Sequence, residues 1–409
     1  MSGRDLASEP WLTAPETRRV LAALEAAGGP GAARFVGGCV RNALLGEPVD
    51  DLDLATPLKP EAAMGALRAA GLKVVPTGVD HGTVTAVSGG RPYEVTTLRR
   101  DVETDGRRAV VAFTEDWAED AARRDFRLNA LYADGDGRVF DPTGWGLADL
   151  EARRIVFVGE ARTRIREDYL RILRFFRFHA WYGRGEPDAD GLAASVELKD
   201  GVARLSVERI YKELMKLLAA PDPRQAVRVM AASGVLAVVL PEARDDLSAF
   251  DRMAGAVADP VLRLSALLPE RPEVAEAAAR RLRAPNAVTD RLSVAASGGV
   301  DARIGARGMR VRVWRDGLIG ATDQAHRAGA EGRIDAATLA QLVAVAEGWE
   351  RPRLPVGGRD AAAAGAAAGP EVGRALKRFE DSWVADDFPT EGHAARLADA
   401  IQTVRAGRG

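Results

Sequence analysis

Residues 35–56 read FVGGCVRNALLGEPVDDLDLAT, and this stretch decides the fold. Phe35 and Val36 form a short apolar strand that runs into a Gly37-Gly38 turn. A short helix carrying Arg41 near its start follows, and then a strand presenting Asp51-Leu52-Asp53. Residues i and i+2 of a strand point to one face, roughly 6.6 Å apart, so these two carboxylates can share a divalent metal. A Gly-Gly turn lets backbone N–H groups approach an anion, and the helix N-terminus behind it favours negative charge. A phosphate cradle beside metal carboxylates is equipment for nucleotidyl transfer. Taken singly, the glycines are an ordinary turn and Asp-x-Asp an exposed strand end; their combination gives the functional reading.

The surrounding chain suits a multidomain soluble enzyme. It has 409 residues, 47% apolar and 28% charged, with a net charge of −2, enough for two to four domains with a substantial core. No apolar run approaches the roughly 18–20 residues of a membrane span, and the N-terminal residues lack the apolar core of a signal peptide. The single cysteine, Cys39, excludes an internal disulfide, and the four scattered histidines offer no zinc-ligand spacing. Together these features predict a cytoplasmic protein. Its mild acidity argues against a uniformly basic coat, although nine arginines and only three acids lie between Arg153 and Arg184. Such a block is either a solvated helix face or a surface for phosphates or RNA.

Hydrophobic periodicity predicts an α+β chain. A helix is expected over 13–28. Strands are expected at 33–36, 51–55, 82–88, 92–98, 127–133 and 154–158, with one helix near 60–70. From about 160 the pattern turns helical: 163–182, 206–219, 223–233 and further helices over 240–350. The segment 353–358 reads as a linker, and Gly369-Pro370-Glu371 as a helix start within an Ala-rich stretch.

Further candidate site residues follow from the same reading. Glu94, on the strand within 93–100, is the candidate third carboxylate, set against a plain surface position. Residues 101–120 read as a mobile excursion of the kind that closes over substrates. Arg123 and Arg124 lead into a strand, where one guanidinium can reach a triphosphate and the other a structural carboxylate; Asn129 can brace the metal site. On the helix REDYLRILRFFRF (166–178), Asp168 and Arg171 are three apart and so neighbours. An Asp acceptor beside an Arg donor matches the amino group and unprotonated ring nitrogen of cytosine and adenine, and opposes guanine and uracil. That pair would select CTP and ATP without a template. Arg174 and Arg177 would serve phosphates or stabilise the helix.

With GGCVR and DLD, RRDFRLNA, DPTGWGLADL, REDYLRILRFFRF and LSVERIYKEL in this order, the sequence resembles the class II tRNA nucleotidyltransferases. These CCA-adding enzymes are related to bacterial poly(A) polymerases. The resemblance is dense over about 32–240 and returns weakly at 355–376. It implies a nucleotidyltransferase head with a mixed β-sheet (1–158), then an all-helical neck (159–240), body (241–350) and tail (351–409). It also implies Mg²⁺ at Asp51 and Asp53, nucleotide contacts from Gly37, Gly38 and Arg41, and triphosphate contact from Arg123. Base recognition would fall to Asp168 and Arg171, with Arg174 and Arg177 completing the pocket. The implied partner is the acceptor arm and 3′ end of tRNA, with no obligate protein partner; the alternative is a poly(A) polymerase or an enzyme adding only A or only CC. Asn42 stands where the family commonly has Asp, keeping the hydrogen-bonding shape while losing a charge. The C-terminal half has no His-Asp pair, so no phosphohydrolase activity is expected.

Overall fold

The computed structural model describes residues 6–105 and 108–406. They divide into two compact units, Met1–Pro241 and Glu242–Gly409. The first unit opens with α1 (Pro10–Thr13) and the amphipathic α2 (Pro15–Gly28), each begun by a proline whose missing N–H costs nothing there. Then come β1 (Arg34–Val36), α3 (Gly38–Leu45), β2 (Asp53–Thr56) and α4 (Pro60–Ala69). They are followed by β3 (Lys73–Gly78), β4 (Thr83–Ser88) and β5 (Arg91–Thr97).

The main sheet also takes β8 (Tyr132–Ala133) and β9 (Val139–Phe140), and its order is β3-β4-β5-β2-β1-β8-β9. Only β2 and β5 run parallel; every other pairing is antiparallel. The sheet is therefore mixed, as the α+β expectation requires. Along β5 burial alternates: Tyr93 and Val95 face the core, while Glu94 is exposed on the opposite face. Tyr93 Oη lies 2.9 Å from Thr17 Oγ1 of α2, a buried bond that fixes the covering helix to the strand.

Several elements depart from the sequence expectations. β3 was not anticipated; it carries Pro76 and a register shift, which the outermost strand tolerates because one side needs no partner. Residues 101–120, expected as an irregular excursion, contribute instead to a two-stranded ribbon, β6 (Arg99–Asp105) with β7 (Arg108–Phe113), and to α5 (Trp117–Ala122). Residues 106–107 of that stretch lie outside the described residues. The expected strand 127–133 is a 3₁₀ turn, Arg127–Asn129, followed by β8 (Tyr132–Ala133), which pairs with β9 (Val139–Phe140). The expected strand at 154–158 makes only one bridge, Phe157 to Phe126.

Helices take over after α6 (Gly146–Glu151). The single helix expected over 163–182 is two, α7 (Ala161–Glu167) and α8 (Leu170–Tyr182). Asp168 is extended (φ −154°, ψ 107°), and its carboxylate accepts the Leu170 N–H at 3.1 Å. A short acidic side chain that caps the next helix competes with continuing the first one. α9 (Ala189–Glu197), α10 (Val207–Leu218), α11 (Arg224–Ala232) and α12 (Val235–Val239) complete the first unit. α10 and α11 match their expected positions to within one residue at each end.

The second unit is helical in its described residues, from Ser248–Ala256 to His393–Ala406. Its long helix Gly305–Ala330 breaks at Gly317, where φ is +75°. The Ala-rich stretch yields helices Gly358–Ala363 and Pro370–Ala385. Fully buried Ala361 and Ala375 pack with Phe379, Trp383 and Ile401, so the aromatic residues supply the volume that the alanines lack.

Candidate active site

The Gly-Gly turn connects β1 to α3. Gly37 has φ 73° and ψ −120°, a region that only glycine adopts without strain. Arg41, on α3, is buried. Its Nη1 donates to Asn129 Oδ1 (2.6 Å), and its Nε and Nη2 donate to Asn42 Oδ1 (3.1 and 2.8 Å). Nη2 also donates to Tyr182 Oη on α8 (2.8 Å), whose ring lies 4.0 Å from the guanidinium. A guanidinium has five N–H groups, so at most one is left for a phosphate. Arg41 thus shapes the turn as much as it offers a contact.

Asn42 was expected to keep the hydrogen-bonding shape of an Asp, and the structure shows that it does more. Its Nδ2 donates to the Pro48 carbonyl at 2.8 Å, which no carboxylate can do.

Asp53 opens β2 and stands in parallel register with Glu94 of β5, so the two carboxylates share one face of the sheet. Asp51 lies two residues earlier, on the irregular approach to the strand. Burial, with Glu94 and Asp51 adding repulsion that Arg124 only partly offsets, pushes the Asp53 carboxyl up to about 6. This is a site where like charges converge and a cation is favourable. Its donors are oxygens, as Mg²⁺ prefers, and Mg²⁺ needs only one or two carboxylates when water and phosphate complete its shell. Among the described residues no three His, Cys, Asp or Glu side chains converge in metal-holding geometry. Asp51 and Asp53 therefore suit such an ion as a pair, with Glu94 beside them.

The two arginines before the 3₁₀ turn do not divide their work as expected. Both bind Asp120, a buried residue that the sequence reading passed over: Arg123 at 2.8 Å and Arg124 at 3.0 Å. Asp120 also accepts Tyr132 Oη at 2.7 Å. Burial opposes its ionisation, but Arg124, Arg123 and Tyr132 outweigh that and hold it down to about 2. Asp125, also buried, accepts Arg174 and, at 3.0 Å, the Asn129 amide. Despite burial, Arg174 and these hydrogen bonds keep it far below the usual carboxylate range.

On the neck helices every expected base-reading residue already has a partner. Asp168 accepts Arg209 of α10 at 2.7 Å. Arg171 donates to Glu167 and to the Arg164 carbonyl (2.7 Å). Arg177 pairs with buried Glu213, and Arg174 with Asp125 as above. The Asp168 and Arg171 side chains are bound to these other partners, and the two residues are joined through the Arg171 N–H, which donates to the Asp168 carbonyl (3.0 Å). The arginine block of 153–184 is largely neutralised by acids beyond it, namely Asp125, Asp149, Glu197 and Glu213. Arg164, which sequence reasoning also missed, is buried and donates to the carbonyls of Arg123 and Arg124. Glu213 was legible only as part of an amphipathic helix, because its partner Arg177 lies far off in sequence.

Known proteins resemble this chain in sequence and in fold. A family model described as the poly A polymerase head domain matches residues 33–156, and one described as a probable RNA- and SrmB-binding site of polymerase A matches 187–247. The chain is 32% identical over 368 residues to the mitochondrial CCA tRNA nucleotidyltransferase 1 of Mus musculus, spanning 88% of this chain and 84% of that protein. It is 39% identical over 246 residues to the CCA-adding enzyme of Streptococcus sanguinis, spanning 60% and 59%. The crystal structure of the Bacillus stearothermophilus CCA-adding enzyme in complex with CTP superposes with a TM-score of 0.75 at 28% identity. That match covers 96% of this chain and all of the other. Among the described residues, no helix is long and apolar enough to cross a membrane.

Proposed function

We propose that this chain, which belongs to the class II tRNA nucleotidyltransferases, the CCA-adding enzymes, adds C, C and A to the 3′ end of tRNA from CTP and ATP. The observation that carries the reading is the in-register pairing of Asp53 with Glu94, with Asp51 two residues before it, beside the Gly37-Gly38 turn. Asp51 and Asp53 would hold Mg²⁺, which when bound acidifies the attacking 3′-hydroxyl and neutralises the triphosphate. Gly37 and Gly38 admit the phosphates to backbone N–H groups, and Arg41 and Arg123 line the approach. The 3′-oxygen attacks the α-phosphorus, its proton leaves to solvent or base, and pyrophosphate departs. Asp168 and Arg171 read the base at the start of α8. Asp125 and Glu213 hold Arg174 and Arg177 in place behind them.

In this proposal residues 1–158 are the catalytic head and 159–240 the base-reading neck. The helical body (241–350) and tail (351–409) receive the tRNA. The single cysteine fits a cytoplasmic setting.

The test is incorporation of labelled CTP and ATP, separately and together, into tRNA ending at the discriminator base, with Mg²⁺. Growth by three nucleotides followed by arrest, without use of GTP or UTP, is expected. Unlimited A addition with no use of CTP would mean a poly(A) polymerase. No metal-dependent incorporation would overturn the assignment.

A further inference from the structure

We propose that Asn42 is a positioning residue that ties the nucleotide-facing arginine to the loop delivering the metal carboxylates; this rests on the function proposed above. The five residues 46–50, GEPVD, lead from the end of α3 to Asp51. The Gly46 N–H closes α3 onto the carbonyls of Ala43 and Asn42, and three further hydrogen bonds hold this loop. At its start the Glu47 N–H donates to the Asn42 carbonyl (2.9 Å). In its middle the Pro48 carbonyl accepts Asn42 Nδ2 (2.8 Å), and at its end the Asp50 carbonyl accepts Arg91 Nη2 (3.1 Å). Asn42 makes two of the three.

The same side chain faces Arg41. Because a guanidinium only donates, the oxygen of Asn42 must point at Arg41 Nε and Nη2, and the amide nitrogen must then point at Pro48. The orientation is chemically fixed. One planar amide therefore sets the distance between the Arg41 guanidinium and the loop backbone three residues before Asp51. A carboxylate in its place would keep the acceptor for Arg41, but it would put a second oxygen against the Pro48 carbonyl, where two acceptors repel.

This arrangement separates two effects in two variants. Asn42→Asp keeps the arginine contact and breaks the loop contact; Asn42→Ala breaks both. The readouts are the Mg²⁺ concentration giving half of the metal-induced rise in thermal stability, measured with Mg²⁺ alone, and KM for CTP in the incorporation assay. For Asn42→Asp, half-saturation by Mg²⁺ is expected to rise about five-fold with KM for CTP near wild type. For Asn42→Ala both are expected to rise. A purely electrostatic role predicts the opposite sign for Asn42→Asp, because an added negative charge tightens Mg²⁺. Equal or tighter Mg²⁺ binding by Asn42→Asp overturns the inference, and so does an equal rise in both readouts in both variants. Wild-type incorporation, run alongside, keeps the functional reading separate: its absence would sink that reading, while the metal-alone titration still decides the role of Asn42.

Discussion

The head and the neck treat their charges in opposite ways. Around Asp53 like charges converge, and the carboxyl is pushed up to about 6 with its neighbours adding to the strain. Along α7 and α8 the arginines have acidic partners: Arg164 and Arg171 share Glu167, Arg174 pairs with Asp125, and Arg177 with Glu213. A matched buried pair is stable as it stands and is costly to break. An unmatched cluster costs stability until something binds it, so binding free energy goes into relieving it. The acids are thus the place where a ligand is awaited, whereas most of the arginines are framework.

Disabling the acid side should have the largest effect. Asp53→Asn is expected to lower nucleotide incorporation by roughly 10³-fold or more, measured in single-turnover assays, and Asp51→Ala similarly. The metal-free protein should show the converse effect. The folded-state pKa of Asp53, about 6, lies above its ordinary 3.8, so its ionisation opposes folding; the penalty is absent below about pH 4 and complete above about pH 6. Asp120, held down to about 2, acts the other way, stabilising above about pH 4 and losing that contribution as pH falls toward 2. Without metal at pH 7.5, Asp53→Asn should therefore melt above wild type, by roughly 2–4 °C. It should also lose the stabilisation that Mg²⁺ gives the wild type. A lower melting temperature in that variant would mean that the acids are not in conflict.

Breaking the matched side should cost stability first. Asp125→Ala leaves Arg174 only the more distant Glu213 carboxylate (4.0 Å) and deprives the Asn129 amide of its acceptor, and should destabilise by about 3–5 kcal/mol in urea titration. A loss below about 1 kcal/mol would show that the neck network is not the framework described.

The smallest effects belong to Asp168 and Arg171, the pair proposed to read the base, where the two regimes meet. Asp168→Ala should erode the preference for CTP and ATP over UTP and GTP by roughly 10–100-fold in kcat/KM. Arg209→Ala frees Asp168 from a half-exposed partner that a base must displace. It should change stability by less than about 1 kcal/mol and lower KM for CTP a few-fold. A rise in KM would make Arg209 a support of Asp168 rather than its competitor.

Local pattern carried the reading as far as partners lie close in sequence. The strand before Gly37-Gly38 and the helix after it, the amphipathic helices α2, α10 and α11, and the helix start at Pro370 were all legible from periodicity and capping residues. The register that puts Glu94 beside Asp53 was only suggested, because pairing between β2 and β5 is set by the whole sheet. The break at Asp168 was missed because helical periodicity runs straight through it, while a side-chain cap and a distant Arg209 decide the backbone there. Asp120 and Arg164 were invisible for a similar reason. Each matters through a partner that folding supplies, and neither belongs to a motif of its own.

The strand order has a consequence for synthesis. The carboxylate face is made by β2 and β5, residues 53–97, and can form early on a growing chain. β1, however, carries the Gly-Gly turn and stays open on one side until residues 132–133 arrive to pair with 35–36. Asn129, which anchors Arg41, emerges only just before them. A nascent head therefore displays its acids before the turn beside them is braced, and one edge of β1 stays unpaired in the interval.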